Sequence, residues 1–114
     1  MVGSNPPGPI MILTVDLWLK IERKYWDIKM FYGCSKYSSW FTPRLIIYSD
    51  PEGDWGWYRG YDLAVNVADA SWEEIVGTLI HEYWHYLQDP TDWTYPQYED
   101  EAIAVAENDL YLFL

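Results

Sequence analysis

At 114 residues the chain can form one domain with a single modest core and is too short for two. Half of it is apolar and 19% aromatic, which excludes a disordered composition, and no run approaches the roughly 20 apolar residues that cross a bilayer. The net charge is −11, with all seven Lys and Arg at or before Arg59 and twelve Asp and Glu in residues 61–114, so nucleic acid is a poor partner.

Taken in chain order, "MVGSNPPG" opens a segment read as a flexible leader, 1–13, ahead of a single domain at 14–114. The apolar stretch "PIMILTVDLWL" has no basic residue before it and is broken by Asp16, so it does not read as a secretory signal. Cys34 is alone, which rules out an intrachain disulfide and a Cys-rich metal site. Together these features point to a cytoplasmic protein with no membrane partner. Residues 14–31 place Leu17, Trp18, Ile21, Tyr25 and Ile28 at helical spacing, with Thr14 or Asp16 as the cap. "RLIIYSD" (44–50) reads as a short strand closed by the turn signal "DPEGD". Residues 57–69 continue as extended chain in which Leu63, Val65 and Val67 alternate with Ala64 and Asn66, and Gly53, Gly56 and Gly60 suggest a hairpin or bulge.

"SWEE" then sets Ser71 as N-cap with Glu74 three residues on, the capping-box spacing, ahead of a helix from Trp72 to about Gln88 that "DP" stops. Ile75, Val76, Leu79, Tyr83 and Leu87 form its core side, and small Gly77 and Thr78 allow a strand to approach. A last helix begins near Pro96 in "PQYEDEAIAVAENDLYLFL", with Ile103, Ala106, Leu110 and Phe113 as its apolar stripe. The pattern is α+β, with a small mixed or antiparallel sheet.

The two histidines of the chain lie in "TLIHEYWHYLQD", four residues apart on that middle helix. His81 and His85 therefore share one face, about 5–6 Å apart at Cβ, where two imidazoles can converge on one metal ion. Glu82 stands about 100° around the helix from His81, beside such an ion rather than on it. A carboxylate there can take a proton from water acidified by zinc, so H-E-x-x-H encodes two ligands and a general base. A third ligand has to be a carboxylate, since no histidine remains. The metzincin extension needs Gly and His where the chain has Gln88 and Thr91. The last helix offers Glu99, Asp100 and Glu101. Glu99, four before Ile103, extends the apolar stripe inward, where a carboxylate needs a partner; Glu101 is about 200° away from it.

"TLIHEYWHYLQ" followed by "EDEAIAVAENDL" resembles the gluzincin metallopeptidases, in particular the small ImmA/IrrE-like ones, over about residues 44–114. That resemblance implies a zincin-like fold, one Zn2+ per chain and Glu99 as ligand, with Ile103 standing where Asn is usual. A thermolysin-like alignment of "DEAIAV" would choose Glu101 instead. The resemblance also implies an edge strand above the metal that pairs with substrate backbone, and "YDLAVNV" looks like that strand. With its last residue at Leu114, the chain is expected to be a minimal catalytic core.

The expected function is zinc-dependent peptide hydrolysis, with His81, His85 and Glu99 holding zinc and Glu82 as general base. The rival is a non-enzymatic module that binds through the aromatic segment "DWGWYRGYD" (54–62), or a regulatory protein that retains the zincin fold.

Overall fold

The computed structural model describes residues 13–91 and 95–114. Residues 1–12 of the expected leader lie outside the described residues, and Leu13 packs partly against the core. The elements are α1 (Val15–Tyr32), β1 (Arg44–Tyr48), β2 (Gly56–Arg59), β3 (Asp62–Asn66), α2 (Trp72–Leu87) and α3 (Tyr95–Phe113). This is an α+β arrangement of three helices and a three-stranded mixed sheet.

α1 starts where Thr14 Oγ1 accepts the Leu17 N–H, satisfying one of the amides that the first turn leaves without a helical partner. Its buried residues are Leu17, Ile21, Tyr25 and Ile28; Trp18, expected among them, is 40% exposed. The reason is geometric. Those four define a stripe narrower than the sequence pattern, and Trp18 falls on its flank.

The sheet order is β1-β3-β2, with β1 parallel and β2 antiparallel to β3. The extended run at 57–69 is thus two strands, β2 and β3, folded at Gly60, whose φ of 56° suits glycine. The expected edge strand "YDLAVNV" is the central strand, and β1 and β2 are the edges. Burial agrees: Leu63, Ala64 and Val65 of β3 are fully buried.

Gly56 brings β2 down onto α2. A Cβ at this position would lie 2.5 Å from both the Ala64 carbonyl oxygen and Thr78 Cγ2, so only glycine lets the strand sit here. The close approach expected at Gly77 and Thr78 is made at Thr78, against Gly56 of β2, while Gly77 faces open space. The capping box is formed in full: Ser71 Oγ accepts from Glu74 N–H at 3.1 Å, and Glu74 Oε1 accepts from Ser71 N–H at 2.8 Å.

Tyrosines account for much of the aromatic content. Tyr25, Tyr83 and Tyr86 are buried, and each hydroxyl ends on backbone of the 33–43 segment: Tyr25 on Pro43, Tyr83 on Gly33, Tyr86 on Phe41. One residue supplies both apolar bulk and a hydrogen bond that ties a loop to the core. Burial pushes the phenols of Tyr25 and Tyr83 well above their ordinary range. No helix among the described residues is long and apolar enough to cross a membrane.

Candidate metal centre

α2 touches α1, β2, β3 and α3, so a side chain on its open face is held by a helix fixed on several sides. Ile75, Val76, Leu79, Ile80, Tyr83 and Tyr86 face inward, while Leu87 is only partly buried. Glu74, Gly77, Thr78, His81, Glu82 and His85 follow the helical repeat along the other side and line a cleft of about 1100 Å³. Asp54, Trp55, Gly56, Trp57 and Tyr58 line it from β2 and the turn before it; Glu99, Ile103, Ala106 and Glu107 line it from α3.

Within the cleft the two imidazoles and one carboxylate converge. His81 Nε2 lies 2.7 Å from Glu99 Oε1, and His85 Nε2 lies 3.2 Å from Glu99 Oε2 and 3.2 Å from His81 Nε2. One ligand atom from each residue falls within 4.8 Å of the others, a spacing that could hold a metal ion. The donor set, two neutral imidazole nitrogens and a carboxylate, is one that zinc accepts with a position left for water.

Gln88, the C-cap of α2, completes the arrangement, and its role was not read from the sequence. Its Oε1 lies 2.7 Å from His85 Nδ1. That bond requires the proton on Nδ1 and leaves the Nε2 lone pair available to an ion, which is how outer partners orient metal-binding histidines. Gln88 is in turn fixed by donating from Nε2 to the Tyr98 carbonyl at 3.0 Å and to Glu101 Oε1 at 3.1 Å. Its position three residues after His85, on the same helix face, is the signal that could have found it.

Glu101 therefore stands away from the imidazoles, accepting also from Trp84 Nε1 at 2.7 Å. Ile103 corrects the reasoning that favoured Glu99. It is 41% exposed and lines the cleft, and the buried residues of α3 are Ala102, Ala106 and Phe113. Glu99 and Ile103 do share a face, but that face belongs to the cleft rather than the core.

Glu82 Oε2 is 3.8 Å from His81 Nε2. Burial raises its carboxyl from 4.5 to about 7, opposed by His85 and reinforced by Glu99 and Asp54. Burial holds His81 below the ordinary imidazole value, and Glu99 pulls it the other way. Of the aromatic segment 54–62, Trp55, Trp57 and Tyr58 wall the same cleft as the histidines, while exposed Tyr61 packs on Trp40 and Phe41. Compared with family models, curated proteins and solved structures, the chain matches none.

Proposed function

We propose that the chain is a zinc-dependent peptide hydrolase with a zincin-like site of the gluzincin type. The observation that carries this reading is the meeting of His81, His85 and Glu99, from two helices, in an open cleft with Glu82 beside them. His81 and His85 would hold the ion through Nε2 and Glu99 through its carboxylate. Zinc, when bound there, supplies Lewis acidity toward a carbonyl oxygen and acidifies a water.

The chain's own residues supply the rest. The Glu82 carboxylate takes a proton from the attacking water and passes it to the leaving amine. Gln88 keeps the His85 ring in one tautomer. β2, the free edge of the sheet beside the cleft, offers main-chain groups to an extended peptide. The Asn66 N–H donates to the Trp55 carbonyl at 2.8 Å. Antiparallel alternation then directs the Trp55 and Trp57 backbone toward β3 and the Gly56 and Tyr58 backbone toward the open edge.

The test is elemental analysis of the purified protein followed by digestion of a peptide library with and without chelator. One zinc per chain and chelator-sensitive cleavage are expected. Glu82→Gln should retain zinc and lose at least a hundredfold in hydrolysis, and His81→Ala should lose both metal and activity. A Glu82→Gln protein that cleaves as well as wild type would remove the assigned base. A second reading is favoured by Trp55, 62% exposed in the wall: a peptide-binding module that uses the same cleft without hydrolysis. It expects binding without any chelator-sensitive product.

A further inference from the structure

Gly77 sits inside α2, where glycine is the least favourable residue after proline. Packing does not demand it, because a Cβ at this position would meet nothing within 4 Å. The open space in front of it is the cleft, which Gly77 lines one helical turn before His81, about 6 Å along the axis. A residue that weakens its helix and leaves unfilled room beside a reactive cluster is understandable if something else fills that room.

The surroundings say what kind of group that is. Besides Glu82 and Glu99, the cleft is lined by Asp54, Glu74 and Glu107, and among the described residues no Lys or Arg lines it. Glu74 stands two turns from His81 along α2, and Glu107 two turns from Glu99 along α3. The Glu74 carboxylate accepts from the Ser71 cap amide at 2.8 Å. Among the described residues neither Asp54 nor Glu107 takes part in a salt bridge. Carboxylates gathered in a concave, partly apolar space focus negative potential, and the exposed Trp55 ring in the wall offers a cation a π face.

We propose that Gly77 floors a specificity subsite which takes a lysine or arginine side chain of a bound peptide, with Glu74 and Glu107 as its anionic rim. The inference rests on the peptide-cleft reading of the site and names its substrate class.

Binding tests it without turnover, using the full chain carrying Glu82→Gln and loaded with zinc. The probes are N-acetylated, C-amidated octapeptides of Ala and Ser with one Lys, Glu or Leu walked along the sequence. Calorimetry and quenching of tryptophan fluorescence read the affinity. The best Lys peptide is expected to bind at least tenfold more tightly than its Glu counterpart, with the preference shrinking in 0.5 M salt, as roughly expected from a Debye length that falls below about 5 Å. Glu107→Gln should cut the preference about threefold to fivefold.

Gly77→Leu should weaken Lys-peptide binding tenfold or more, with zinc content kept and melting temperature not lowered. Gly77→Ala should fall between, with a raised melting temperature. Equal affinity for Lys and Glu peptides, no binding of any peptide, or parental affinity in Gly77→Leu would each overturn the subsite. If wild type still hydrolyses peptides in those cases, the peptidase reading survives its loss. If the preference holds and wild type cleaves nothing, the subsite stands and the peptidase reading falls.

Discussion

At the scale of single residues, the site depends on side chains that never touch the proposed ion. Gln88 links the imidazole of His85 to the Tyr98 carbonyl and the Glu101 carboxylate. Losing such a partner typically costs about 10–100-fold in metal affinity. Gln88→Ala should therefore bind zinc about 10–100-fold more weakly by competition with a chromophoric chelator, while the far-UV spectrum is unchanged. Unaltered affinity would deny Gln88 its orienting role.

Glu82 carries a pH dependence of its own in the metal-free protein. Its carboxyl moves from 4.5 to about 7 on folding, so the folded state binds this proton more tightly than the unfolded state. Below pH 4.5 both states are protonated and folding incurs no penalty. As pH rises toward 7 the unfolded chain ionises first and stability falls, by at most about 3 kcal/mol once the pH exceeds 7. Glu82→Gln with chelator should consequently unfold at higher denaturant than wild type at pH 8, by about 1–3 kcal/mol. The two should coincide near pH 4. Identical midpoints at pH 8 would remove the burial penalty from the account.

At the scale of elements, the decisive contact is the crossing of β2 over α2. Gly56 lies against Thr78 Cγ2 and the Ala64 carbonyl so closely that any side chain must displace the strand. Overpacking of this kind costs about 1–3 kcal/mol. Gly56→Ala should lose that much stability in urea and also shift the wall formed by Trp55 and Trp57. Gly77→Ala, on the same helix but facing open space, should instead gain about 0.5–1 kcal/mol, as replacing a helix-interior glycine does. Opposite signs from two glycine-to-alanine changes make this a sharp check on the packing. α2 was the most legible element, because a capping box at Ser71 and Glu74 and a regular apolar repeat are local signals. α3 was less so. Its hydrophobic positions suit either core or cleft, and neighbours decided that Ala102 is buried while Ile103 is not.

At the scale of the whole molecule, the proposed ion would join two helices that already pack together, and its removal should loosen that joint. A ligand present at about 100 times its Kd adds about 2.7 kcal/mol to stability. For a chain of this size that corresponds to roughly 10 °C in melting temperature. Differential scanning calorimetry should show a drop of this order on chelation, reversed by added zinc. A melting temperature indifferent to both would argue against a resident metal. The acidic carboxyl-terminal half is consistent with such a site, and part of that charge, Glu74, Glu99 and Glu107, faces the cleft.

What the sequence by itself determined was everything encoded within a few residues: the α+β class, the Ser71 cap, and the placing of His81, Glu82 and His85 on one helix. Helical periodicity and capping are short-range physics and can be read from neighbours in the chain. Only the tertiary structure decided which strand is central, that Glu99 reaches the imidazoles while Glu101 bonds to Trp84 and Gln88, and that Trp55, Trp57 and Tyr58 wall the same cleft. Those outcomes depend on strand order and helix packing. Residues far apart in sequence compete there for the same space, and no local pattern records which of them wins.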